Sequence, residues 1–128
     1  MGASRIAAML TRILDKNEYN IVVIDIDEDG FNRLPNDFEG EKIVASGTDL
    51  ETYRKINFTS EDSFLAATNS DNVNIEAARL VKEKFKCTKV AKVIHDPMRA
   101  KAYTEIEKGV ICPILDALLY YKENILSL

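Results

Sequence analysis

The sequence predicts an α/β protein, a doubly wound parallel sheet enclosed in three αβα layers. Three observations carry that expectation. Five strand patterns alternate with helical ones through the 128 residues, without linkers, repeats or low-complexity segments. The strands are short continuous apolar runs, as strands buried on both faces must be. One of them, Ile21-Val22-Val23-Ile24, ends in Asp25-Ile26-Asp27 about twenty residues after the small-residue turn Gly2-Ala3-Ser4-Arg5-Ile6-Ala7. That is the spacing of the second half of a dinucleotide-binding βαβ unit.

The elements follow in order. Ile6, Met9, Leu10, Ile13 and Leu14 give a helical stripe, so a helix runs from Arg5 to about Asp15. Asn17 to Asn20 turn the chain into the strand at Ile21. A short helix from about Glu28 to Leu34 is stopped by Pro35, and Lys42-Ile43-Val44-Ala45 is a brief strand. Ser46-Gly47-Thr48-Asp49 turns, with Thr48 or Asp49 capping a short helix over Leu50 to Ile56. Ser63-Phe64-Leu65-Ala66-Ala67 is the next strand. Asn72 to Phe85 is a long amphipathic helix with Val73, Ala77, Leu80, Val81 and Phe85 inward. Val90 to Ile94 forms a strand, and His95-Asp96-Pro97 opens a helix to about Glu107. Val110-Ile111-Cys112 is a last short strand before a helix from Pro113 to Leu126.

The Gly turn of a dinucleotide fold follows a first strand at the centre of the sheet. Beginning at Met1, this chain has no residues for that strand. The expectation is two half-sheets flanking a central position, separated by roughly 9–10 Å, each with an unpaired edge. Residues 1–128 are read as a single domain, with no separate C-terminal ligand-binding subdomain.

Composition narrows the function classes. A net charge of −4 with interleaved signs leaves no nucleic-acid footprint and no polybasic membrane patch. Cys87 and Cys112 lack metal-ligand spacing and read as reduced core thiols. The longest apolar stretch, Val110 to Tyr121, contains Pro113 and Asp116 and is too short to span a bilayer. No signal-peptide pattern opens the chain, so a cytoplasmic location is expected. A small NAD-dependent oxidoreductase or another Rossmann-like binding module is the alternative reading, but the Tyr-x-x-x-Lys pair of such an enzyme is not found. The residues four beyond the five tyrosines are Val23, Asn57, Glu107, Asn124 and Ile125.

The ligand-facing candidates lie on the turn and the strand ends. Asp25 at the carboxyl end of its strand can accept both hydroxyls of an adenosine ribose, and it would repel a 2′-phosphate. Gly2, Ser4 and Ala7 hold the three glycine positions of the turn. The Ser4 hydroxyl would either donate to a phosphate oxygen or crowd the ligand. The helix beginning at Arg5 aims its N-terminal amides at an anion. For Thr68 and Asn69, helix capping competes with ligand contact; for His95, a role as a strand-end turn residue outweighs one as a base.

In their order and spacing, these segments together resemble the RCK/KTN domain, a TrkA N-terminal-like nucleotide-binding domain that regulates potassium channels and transporters. Gly2-Ala3-Ser4-Arg5-Ile6-Ala7 stands where the family has G-x-G-R-x-G, and Ala45-Ser46-Gly47-Thr48-Asp49 matches its G-D-G-T-D turn. Ala67-Thr68-Asn69-Ser70-Asp71-Asn72-Val73-Asn74, His95-Asp96-Pro97 and Gly109-Val110-Ile111-Cys112-Pro113 match further segments in order. Val93 stands at a frequent Arg position near the ligand phosphates, with Lys92 adjacent. The resemblance implies a Rossmann-like regulatory module rather than an enzyme. Its cofactor would be NAD(H), with ATP, ADP and AMP as further candidates. The site would comprise Gly2, Ala3, Ser4, Arg5, Ile6, Asp25, Ile26, Asp27, Ser46, Gly47, Thr48, Thr68 and Asn69. The implied partner is a potassium channel or transporter subunit, holding the domain on the cytoplasmic face of the membrane. A homodimer or larger homo-oligomer, paired through the helices after the last two strands, is also expected.

Overall fold

A computed structural model describes residues 1–14 and 16–127. Five parallel strands are present: β1 (Val22–Asp25), β2 (Glu41–Val44), β3 (Ser63–Ala66), β4 (Lys89–Val93) and β5 (Val110–Ile111). Five α-helices accompany them: α1 (Arg5–Ile13), α2 (Leu50–Lys55), α3 (Asp71–Phe85), α4 (Pro97–Thr104) and α5 (Pro113–Tyr121). Each predicted strand and helix is found, with ends shifted by a few residues. Asp15, the expected end of the first helix, lies outside the described residues. The expected helix at Glu28 is a 3-10 turn over Glu28–Arg33, and α5 continues as a π-helical turn over Lys122–Leu126.

The strands form two hydrogen-bonded groups, β1–β2 and β3–β4–β5, all parallel. Between them runs the start of the chain. The Met1 nitrogen donates to the Leu65 carbonyl at 2.8 Å and the Ala67 amide donates to the Met1 carbonyl at 2.8 Å. On the other side the Gly2 amide donates to the Ile24 carbonyl at 2.6 Å. Met1 and Gly2 therefore occupy the carboxyl end of the central position, giving the order β2–β1–(Met1, Gly2)–β3–β4–β5. That is the strand order of a Rossmann-like sheet.

Alternation along the strands assigns the layers. Val23 packs with Ala8 of α1, with Phe31 of the 3-10 turn and with Leu34 that caps it. Ile24, pointing the other way, packs with Tyr53 of α2 and Ala77 and Val81 of α3. A third cluster joins Ile75, Ile94, Ala100 and Cys112 beneath α4. On α3, Ala77 and Val81 are buried as expected, while Val73, Leu80 and Phe85 are half-buried at the margin. Asn74, Ile75 and Ala78 are buried as well, because the helix is covered by sheet and α4 together.

Candidate functional site

Ligands of open α/β sheets bind beyond the carboxyl ends of the strands, where strand order reverses. Here that point is the Gly2 turn. Gly2 has φ +91°, and a Cβ there would lie 2.6 Å from the Thr68 nitrogen, so only glycine lets the turn pass the loop after β3. Ser4 caps α1, its hydroxyl oxygen accepting from the Ala7 amide at 3.3 Å. Neither expected alternative included this role. The hydroxyl proton is not used in that bond and is available to a ligand.

The Asp25 carboxylate is fixed by two backbone amides. Oδ2 accepts from Ala3 at 2.8 Å and Oδ1 from Asp27 at 2.8 Å. Each oxygen retains a lone pair for a ribose hydroxyl. Besides the ribose role the sequence suggested, the carboxylate satisfies the amide of Ala3, which is 1 % exposed. Ile26 is exposed beside it, and the Asp27 side chain caps the 3-10 turn by accepting from Asp29.

The loop after β2 is tied down from α2. Asp49, not Thr48, is the N-cap. The Thr52 hydroxyl donates to the Ser46 carbonyl at 2.7 Å and the Tyr53 hydroxyl donates to the Gly47 carbonyl. The Ser46 and Thr48 hydroxyl oxygens lie 3.0 Å apart.

The loops after β3 and β4 are joined by Asn74 and Asp71, which the sequence reading named only within a family segment and gave no role of their own. Asn74, fully buried, donates from Nδ2 to the Thr68 carbonyl at 3.0 Å and the Val93 carbonyl at 2.8 Å. Its Oδ1 accepts from the Thr68 amide at 2.9 Å and hydroxyl at 2.6 Å. Asp71 accepts from the His95 and Asp96 amides. The cap of α3 is Ser70, so neither Thr68 nor Asn69 caps it. His95 Nε2 lies 3.1 Å from the Thr68 carbonyl, a bond that requires the proton on Nε2 and makes His95 a turn residue.

Ser4, Arg5, Ile6, Arg33, Asn69 and His95 line a cleft of about 240 Å³ at the N-terminus of α1. Arg33 also donates to the Ala3 carbonyl at 3.3 Å. Nothing in the sequence singled Arg33 out; only the turn back of the 3-10 segment brings it there. Lys92, next to the expected phosphate position, is withdrawn instead. It is buried against Glu107, with Tyr103 under its ammonium at 5.4 Å. Burial opposes ionisation of Glu107, but hydrogen bonding and charge from Lys92, with Lys82 at 3.7 Å, hold its carboxyl below the ordinary range. The cleft's cations are Arg5 and Arg33. Among the described residues no group of three or more His, Cys, Asp or Glu side chains could hold a metal ion.

The family model described as the TrkA-N domain matches residues 1–113. The chain belongs to the TrkA-N domain family. Relatives of this TrkA-N chain include the Trk system potassium uptake protein TrkA of Streptomyces coelicolor, 35 % identical over 106 residues covering 83 % of this chain and 48 % of that protein. A Trk system potassium uptake protein TrkA homolog of Pyrococcus abyssi is 26 % identical over 108 residues, covering 84 % and 48 %. The Halomonas elongata TrkA protein is 29 % identical over 104 residues, covering 80 % and 22 %. The chain thus spans about half the length of the first two. Among the described residues of this TrkA-N domain no helix is long and apolar enough to cross a membrane.

If the Asp25 carboxylate satisfies the Ala3 amide, Asp25→Ala leaves that buried N–H without an acceptor. We expect a loss of about 1–3 kcal/mol in urea unfolding at neutral pH. Unchanged stability would show that the bond contributes nothing to the turn.

Proposed function

We propose that this domain binds an adenine nucleotide in the crevice beyond the strand ends and that occupancy regulates a potassium-transport membrane subunit on the cytoplasmic face. NAD(H) is the favoured ligand, with ATP, ADP and AMP in the same chemical class. The observation that carries the reading is the pairing of Asp25 with the Gly2 turn through the Ala3 amide. It sets a ribose acceptor beside the N-terminus of α1, where the free amides and the positive dipole end favour phosphate. Arg5 and Arg33 add charge at the phosphate end. Ser46, Gly47 and Thr48 offer short polar groups on the adenosine side, and from the loop after β3 Asn69 lines the cleft with Thr68 next to it in the chain. The names of the relatives place those proteins in potassium uptake. Regulation without chemistry fits a cleft whose one histidine serves a turn.

Such a domain acts by changing how copies pack, and this one is suited to self-association. Helices α2, α3 and α4 cover one face of the sheet, leaving the face over Leu65, Ala91 and Ile111 beside α1 as an apolar groove of about 620 Å³. No residue of α5 is buried, and Ile114, Leu118, Tyr121 and Ile125 are all exposed. A parallel sheet needs both faces covered, and one chain carries both the bare face and the bare helix. A second copy is therefore the occupant. Sedimentation equilibrium at micromolar concentration should give a dimer or a larger ring. A monomer mass unaltered by nucleotide would refute this route of regulation.

Ligand binding is tested by thermal shift with NAD, NADH, ATP, ADP and AMP. A ligand at 100 times its dissociation constant contributes about 2.7 kcal/mol to stability. Asp25→Asn keeps an acceptor for Ala3 but removes the charge offered to the ribose, and should weaken binding by about 1.5–3 kcal/mol. No shift with any of the five nucleotides would refute the binding reading.

A further inference from the structure

We propose that the Tyr53 hydroxyl is a positioning group for the adenosine half of the site, holding the Ser46-Gly47-Thr48 turn in its nucleotide-accepting shape from inside the core. It has this role only if the cleft takes an adenine nucleotide, as proposed above. Tyr53 is 0 % exposed, and its ring meets Phe58, Phe64 and Phe85 edge-on at centroid distances of 5.7, 5.6 and 6.1 Å. Those three rings need only the aromatic body of Tyr53, which a phenylalanine would supply equally. The hydroxyl adds a polar group to an apolar cluster, a cost that is offset only by a partner. Its partner is the Gly47 carbonyl. With the ring held on three sides, the hydroxyl has no second position from which to release that carbonyl. Burial also pushes the phenol above its ordinary value, so it remains a donor through the physiological range.

Thr52 strengthens the geometry. Two successive residues of α2, Thr52 and Tyr53, hold two successive carbonyls, those of Ser46 and Gly47. The turn is gripped by its acceptors. The Thr48 amide is taken by Ser46 Oγ at 3.3 Å, while the Gly47 amide has no acceptor among the described residues. A turn whose carbonyls are bound inward and whose central amide is unclaimed can donate to a ligand nitrogen or oxygen without rearranging, and binding then costs little ordering. The turn lies between the end of β2 at Val44 and the Asp49 cap of α2. Its only backbone closure among the described residues is the long bond from the Asp49 amide to the Ser46 carbonyl at 3.4 Å, so the two α2 hydroxyls add to its hold.

The test is isothermal titration of the full chain and of Tyr53→Phe with AMP, ADP and NADH, and with inorganic pyrophosphate as a probe of the Gly2 end. Urea unfolding of both proteins runs alongside. We expect the variant to stay folded, to lose about 5- to 10-fold in affinity for AMP, ADP and NADH alike, and to bind pyrophosphate as the parent does. Thr52→Val, which frees the neighbouring carbonyl, should show the same split and stands in if Tyr53→Phe does not fold. Equal nucleotide affinity in parent and variants would overturn the positioning role, and so would a parallel loss of nucleotide and pyrophosphate binding, which marks a general structural defect. A parent chain that binds none of the three nucleotides would instead bring down the nucleotide reading, and the role of Tyr53 with it.

Discussion

Three residues, Met1, Gly2 and Ala3, hold the two halves of the sheet together, and the turn and the acid of the candidate site take their positions from them. Met1 bonds to β3 and the residue after it, Gly2 to β1, and Ala3 to the carboxylate at the end of β1. Gly2 is the hinge of this junction. Its positive φ and its contact with the Thr68 backbone leave no room for a side chain. Because the chain turns there, α1 starts at the gap between the half-sheets, with its unsatisfied amides over the strand ends. The expected pair of unjoined half-sheets is thus a single sheet at the end that carries the site.

Charge is distributed along the cleft in the same economical way. An acid stands at the β1 end and two guanidinium groups stand near the start of α1. The third cation of the neighbourhood, Lys92, is held by Glu107 and contributes to the packing of α3 against the segment before β5. Burial of that ammonium is tolerable only because a carboxylate accompanies it. The loops at the other side are set by amides and hydroxyls, with Asn74 as their hub. A neutral side chain making four hydrogen bonds inside the core fixes loop geometry without adding to the field a phosphate would experience.

Local patterns revealed the elements and the Gly turn with its acid, because those rest on short-range regularities: apolar runs, a small-residue turn and a carboxylate at a fixed spacing. What escaped depends on residues far apart in sequence. Asn74 looked like a polar position on a helix flank, and only the approach of β4 buries it. Lys92 stood next to an expected phosphate position in the sequence, and only the pairing of β4 with β5 brings Glu107 to it. Ser70 rather than Thr68 caps α3, and the Thr68 hydroxyl instead donates to Asn74 and accepts from the Ser70 amide. Arg33 carried no pattern at all. Tyr53 read as a helix residue, and its contact with Gly47 follows from the fold of α2 back over its own turn. The family resemblance, by contrast, used the order of all the segments and is matched by the TrkA-N domain over residues 1–113.

The central claim is that these loops form one nucleotide site. Backbone amide shifts recorded while NADH is titrated into the isotopically labelled chain test it most directly. The account predicts perturbations concentrated at Gly2 to Ile6, Asp25 to Asp27, Ser46 to Thr48 and Thr68 to Asn69, in that continuous surface and at one shared affinity. Perturbations confined to α5 and the open sheet face, or absent while the ligand is in large excess, would contradict it.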